Sequence, residues 1–258
     1  MSRRKAIHFD GYVMDVVQKR TDGWQADAYP FSLPAVRSWD TLELHENVTF
    51  LVGENGSGKS TLIEAIAIAA GFNAEGGSRN FNFNTVRAHS DLHEYLRLVR
   101  GTRRPRDGYF LRAESYFNVA TNINALDEGV AMGPPIIDSY GGVSLHNKSH
   151  GESFMALLQE RFGGKGFYVL DEPEAALSPQ RQIAFLKRLH ELVKADSQFV
   201  IATHSPIILA YPDAWIYHLT PEGPRRTEWD ELEHVRLTRD LLMHPEAYLY
   251  EIMEEPGE

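Results

Sequence analysis

Gly53, Gly58, Lys59 and Ser60 stand in the spacing G-x-x-x-x-G-K-S within the stretch VTFLVGENGSGKSTLIEAIAIAAG. An apolar run precedes this pattern and an apolar-faced helix is expected after it, which is the setting in which such a loop cradles phosphates. Gly53, Gly56 and Gly58 allow the backbone to turn back on itself so that successive N–H groups point inward. The start of the following helix adds partial positive charge. Lys59 reaches the outer phosphates, and the Ser60 hydroxyl can hold Mg²⁺. The whole stretch Gly53, Glu54, Asn55, Gly56, Ser57, Gly58, Lys59, Ser60 and Thr61 is therefore expected to bind a nucleotide through its phosphates.

Two further segments supply groups that could act on those phosphates. GFYVLDEPEAALSP ends an apolar run on Asp171 and Glu172. Carboxylates at the carboxyl end of a strand lie where α/β sheets bind ligands, so Asp171 can join the magnesium shell and Glu172 can address an attacking water. QFVIATHSP ends a second apolar run on His204, thirty-three residues after Asp171, and places an imidazole at the same sheet edge near the outermost phosphate.

These residues need elements to position them. Apolar strands alternating with amphipathic helices favour an α/β layer fold with a largely parallel sheet. The patterns predict strands at Val48–Gly53, Tyr109–Glu114, Phe167–Asp171, Gln198–His204 and Trp215–Leu219, several of them nearly all apolar, as strands covered on both faces must be. Helices are predicted at Ser60–Ala70, Asp91–Arg100, Gly151–Phe162 and Pro179–Val193. Asp91 with Glu94, and Ser149 with Glu152, have capping-box spacing, and Ser178-Pro179 supplies an N-cap with a proline at the first helical position. Residues 72–148 read as an insertion forming a helical or irregular subdomain within a single domain spanning 1–258.

Composition sets the limits around this site. At 258 residues, 43% hydrophobic and 24% charged, the chain suits a globular domain with a sizeable core and not a disordered or fibrous one. The absence of cysteine excludes disulfides and thiolate metal sites. No run has the length of a membrane span, and the basic start MSRRKAIHFDGYVMD is followed by no apolar signal core, so a cytoplasmic location is expected. The net charge of -10 is uneven: residues 228–258 hold ten acidic against two basic side chains, an acidic C-terminal segment. Against it stands RLVRGTRRPR, with Arg97, Arg100, Arg103, Arg104 and Arg106. It reads either as a solvated loop or as a contact for a nucleic-acid backbone or a protein partner.

Four ordered stretches, Gly53–Thr61, Ser149–Ser153, Leu170–Ser178 and Thr203–Pro206, resemble the Walker A loop, the signature, the Walker B strand with its D-loop, and the His-switch of ABC-type P-loop ATPases. D-E-P-E-x-x-L-x-P is similar to the small stand-alone ATPases related to the RecF, structural-maintenance-of-chromosomes and OLD groups. The resemblance implies a P-loop NTPase fold of ABC type, ATP and Mg²⁺ as cofactors, and catalytic roles for Lys59, Glu172 and His204. It also implies a head-to-tail homodimer, in which Ser149, Gly151 and Glu152 of one copy cap the ATP bound to the other. ATP hydrolysis would then serve a soluble nucleic-acid maintenance or defence role. The alternatives are the nucleotide-binding subunit of a transporter and a slow ATP-bound switch. The chain departs from the family at three places. His150 takes the position of the first signature glycine, Ser178-Pro179 replaces the D-loop aspartate, and no Gln lies between Thr61 and Lys148 to serve as a Q-loop. Asn82, Asn84 or Glu114 are the substitutes, and Tyr29, Phe31 or Trp39 the candidate adenine-stacking rings.

Overall fold

β3 (Val48–Val52), β6 (Gly166–Asp171) and β7 (Gln198–Ala202) are buried at every residue, so both faces of these strands must be covered. They form the centre of a six-stranded sheet with β5 (Asp107–Arg112), β8 (Trp215–Thr220) and β9 (Gly223–Thr227), in the order β5-β6-β7-β3-β8-β9. All neighbours are parallel except the β8–β9 hairpin. The computed structural model describes residues 10–21, 23–74, 76–77, 90–113 and 150–253.

Helices cover the sheet on both faces. On one face, α2 (His150–Glu160) and α3 (Pro179–Lys194) bury Phe154, Leu157, Phe185 and Leu189 against Phe50, Tyr168 and Leu170. On the other, α1 (Lys59–Ala70) buries Leu62, Ile63 and Ile66 against Leu51, Val169 and Val200. The far side of α1 packs under a second, antiparallel sheet of β2 (Thr41–Glu43), β1 (Val13–Gln18) and β4 (Leu96–Arg100), which completes four layers. After β7 the chain makes the short α4 (Pro206–Leu209), and after β9 the α5 (Glu233–Met243) and α6 (Pro245–Met253) pair. No helix among the described residues is long and apolar enough to cross a membrane.

The parallel strands and three of the four expected helices lie within a few residues of where the sequence puts them. Asp91–Arg100 does not form the expected helix. Asp91–Tyr95 is a 3-10 turn and Leu96–Arg100 is β4, paired antiparallel with β1. The described part of the expected insertion is thus built of strands and a turn, while residues 78–89 and 114–149 lie outside the described residues.

Candidate functional site

Parallel pairing fixes which strand ends meet. Arg112 is in register with Asp171, Asp171 with Ala202, Ala202 with Leu51, and Val52 with His218, so the carboxyl ends of β5, β6, β7, β3 and β8 form one edge. At that edge β3 opens into the loop 53–58. Gly56 and Gly58 adopt positive φ of 81° and 92°, the left-handed region a side chain resists. A Cβ on Gly58 would also press to 3.0 Å from Leu33. Lys59 is buried, and its Nζ donates to the carbonyls of Gly53 at 2.7 Å and Glu54 at 3.0 Å, which holds the ammonium over the centre of the loop. Burial lowers its pKa, against the upward pull of Glu172, Asp171 and Glu174.

The acidic strand end faces the loop. Ser60 Oγ donates to Asp171 Oδ1 at 3.3 Å, bringing together a hydroxyl and a carboxylate 111 positions apart. Hard oxygen donors of this kind suit Mg²⁺, which takes one or two protein ligands and completes its shell with phosphate and water. It needs no cluster of three His, Cys, Asp or Glu, and the described residues contain none. Glu172 sits in the left-handed region at φ 50°, a strained placement for a non-glycine residue that turns its carboxylate toward the loop cavity. His204 Nε2 lies 3.8 Å from Glu172 Oε1. Although the His204 side chain is 37% exposed, its Nε2 is turned inward without a hydrogen-bond partner among the described residues. Burial, then the Lys59 charge, lowers the His204 pKa, which favours the neutral ring.

Sequence reasoning missed three neighbours of this cluster. Glu174 Oε1 accepts from the His204 backbone N–H at 2.5 Å and fixes the start of the loop after β7. Ser205 caps α4 by accepting from Ile207 and Ile208, and is itself tied to Gln182 of α3. Arg112 bonds Glu64 at 2.7 Å, with its Nε 3.7 Å from Asp171 Oδ2, so a cation already stands beside the proposed magnesium carboxylate. Its register with Asp171 could have been inferred only by pairing the two strands.

A model described as an AAA domain matches residues 32–123, and one described as an AAA ATPase domain matches residues 141–209. The first takes in the phosphate loop, the second Asp171, Glu172 and His204. Both matched models describe AAA domains. No curated protein matches it. Among solved structures it is similar to the SMC head domain from Thermotoga maritima, at 18% identity over 84% of this chain and 98% of the other, with a TM-score of 0.44. It is similar also to cbiO1 from Clostridium perfringens, part of the ABC transporter complex cbiONQ, at 16% identity over 93% and 99%, with a TM-score of 0.48.

The remaining expected residues divide clearly. Of the three candidate rings, Tyr29 is 66% exposed and lines a cavity of about 320 Å³ with Asn55, Gly56, Lys59, Thr61 and Glu172. Phe31 is instead buried against Trp24 and Tyr95, and Trp39 is buried with its Nε1 donating to the Ala35 carbonyl at 3.0 Å. Those two rings belong to the core. At the signature, Gly151 is buried where a Cβ would come within 2.9 Å of the Ala176 carbonyl and 2.3 Å of Arg181 Nη1. Glu152 is exposed and pairs with Arg181 at 3.2 Å. Glycine is thus required here by packing of α2 on its own D-loop segment. Ser149, Asn82, Asn84 and Glu114 lie outside the described residues. The arginine-rich turn 101–106 joins β4 to the amino end of β5, where Arg106 N–H bonds the Lys165 carbonyl, so it occupies the sheet edge opposite the phosphate loop.

Proposed function

We propose that the protein binds ATP with Mg²⁺ and hydrolyses it, working through an ATP-dependent head-to-tail homodimer. The observation that carries this reading is the meeting of Lys59, Ser60, Asp171, Glu172 and His204 at one sheet edge, with Ser60 on Asp171 at 3.3 Å and His204 on Glu172 at 3.8 Å. Lys59 neutralises the outer phosphates, while Ser60 and Asp171 hold the magnesium, whose charge offsets that developing on the phosphoryl oxygens. Glu172 orients and deprotonates the attacking water. His204, kept neutral by its surroundings, can donate a hydrogen bond to the terminal phosphate. Tyr29 offers its exposed face to the adenine. Ser149, Gly151 and Glu152 would complete the site of a second copy, because a helix start supplies unpaired N–H donors to an anion.

Glu172→Gln should bind ATP normally and lose at least about a hundredfold in turnover, the scale on which a positioned base contributes. Lys59→Ala should lose tight binding instead. Calorimetry and phosphate release separate the two, and native turnover in Glu172→Gln would remove that residue as the base. For the role served, we favour soluble nucleic-acid maintenance or defence, supported by the D-E-P-E-x-x-L-x-P stretch at Asp171–Pro179. Nucleic acid and protein remain the partner classes to test, by capture on Glu172→Gln trapped with ATP.

A further inference from the structure

Seven of the ten large apolar side chains that stand exposed among the described residues lie between Leu237 and Met253, so exposed apolar surface is concentrated on α5 and α6. Single exposed leucines are ordinary, whereas a contiguous patch marks a contact site. Leu249, Ile252 and Met253 are spaced i, i+3 and i+4, which sets them on one face of α6, and Leu242 with Met243 ends α5 where the chain turns into it. The start of α5 is anchored inward. Leu232 and Val235 are buried, and Trp229 Nε1 donates to the Pro206 carbonyl at 3.0 Å. Between them His234 lines a cavity of about 310 Å³ with Gly53, Glu54, His204 and His218. Like His204, it carries a buried Nε2 without a hydrogen-bond partner among the described residues. The second family match ends at residue 209, before this pair of helices.

Charge selects the occupant. Along the described segment that carries the patch, Glu228, Asp230, Glu231, Glu233, Asp240 and Glu246 outnumber Arg236 and Arg239, so its net charge is negative. A second copy would set like charge against like, which costs affinity across an interface. A helix with one apolar stripe flanked by lysine or arginine meets both the apolar face and the field.

We propose that the α5–α6 pair is a docking surface for a basic amphipathic helix of a partner protein, and that α5 links this contact to the nucleotide site through His234 beside His204. The link rests on the ATP reading above; the docking does not. The probe is a fluorescent peptide with Lys and Leu at helical spacing, titrated against the full chain by anisotropy, with Glu in place of Lys as the control. The Lys peptide should bind and the Glu peptide should not. Leu249→Ser with Ile252→Ser, both on the surface, should weaken binding about tenfold or more, as loss of central anchors does. Equal binding by that double variant would reduce the contact to plain charge attraction and overturn the docking. A nucleotide-independent dimer that the double variant dissolves would overturn it too, because a second copy would then own the surface. For the link, ATP with Mg²⁺ should shift peptide affinity several-fold in the wild type and leave it unshifted in His234→Ala, since coupling between two sites is reciprocal. No shift in a wild type that calorimetry shows to bind ATP overturns the link. A wild type that binds no ATP overturns the nucleotide reading and the link together, while the docking is still decided by the measurements made without nucleotide.

Discussion

Tyr29 illustrates how a single side chain is assigned. Its type alone did not separate it from Phe31 and Trp39, because all three are aromatic and lie just upstream of the phosphate loop. Burial separates them: two rings contribute to the core, and only Tyr29 offers an open face beside Gly56 and Lys59. Stacking of a base on an aromatic ring contributes about 1–3 kcal/mol. Tyr29→Ala should therefore weaken ATP about 5- to 150-fold, Tyr29→Phe should bind nearly as the wild type does, and inorganic triphosphate should not distinguish them. Competition titrations with both ligands check this, and equal loss for triphosphate would mean that Tyr29 shapes the loop and does not stack on the base.

Elements differ in how tightly they are pinned, and Asp107 at the start of β5 is one such pin. It accepts from Arg161, just past α2, at 2.7 Å, from the Tyr168 hydroxyl on β6 at 2.7 Å, and from the Gly163 N–H at 3.1 Å. Burial pushes its carboxyl pKa up, but these hydrogen bonds, those from Tyr168 and Arg161 first, outweigh it and hold the group below its ordinary value. Asp107→Ala removes hydrogen bonds from a half-buried guanidinium, a buried phenol and a backbone N–H together, so it should cost about 2–4 kcal/mol in urea unfolding. Breaking the exposed Arg103–Asp196 pair should cost under about 1 kcal/mol. Comparable costs for the two would show that Asp107 does not pin α2. The same contrast between local and distant forces explains what was legible beforehand. β3, β6 and β7 were plain because strands buried on both faces are nearly all apolar, and the site residues at their ends came with them. Leu96–Arg100 was misread because the Asp91 and Glu94 spacing suggested a helix start, while the force that decides it, pairing with β1 some eighty residues earlier, leaves no local mark. Arg112 and Glu174 escaped notice for the same reason, since each acquires its role only from a neighbouring strand or loop.

At the scale of the whole molecule, half-buried imidazoles tie stability to pH, and the proposed ATP-dependent dimer would tie one copy to another. His45 Nδ1 accepts from the backbone N–H groups of Asn47 and Val48, both at 3.2 Å, an arrangement that a proton on that nitrogen would abolish. Burial lowers the pKa values of His45, His204 and His234. Above about pH 6.5 neither folded nor unfolded chain protonates them appreciably; below it the unfolded chain takes up protons that the folded chain resists, so stability must fall with pH. Melting temperature should decline from about pH 7 toward 5.5, and His45→Asn, which keeps an acceptor without the titration, should flatten the decline. A flat wild-type curve would leave these rings without a role in acid sensitivity. Dimerisation asks more of the molecule. The helix start at His150 is held on its own chain through Gly151 and Glu152. Ser149→Arg sets a bulky cation at that start; it should leave ATP affinity within a few-fold, because the phosphate loop alone makes the first contact, yet it should block the closed dimer. Mixing it with Lys59→Ala produces one composite site with both lesions and one with neither, so some hydrolysis should return wherever the sites fire independently. The measurement that decides is the mass of Glu172→Gln in solution with saturating ATP and Mg²⁺. Twice the chain mass is expected, reverting to one on removal of nucleotide, and a strictly monomeric species would show that the start of α2 serves only to cap its own helix.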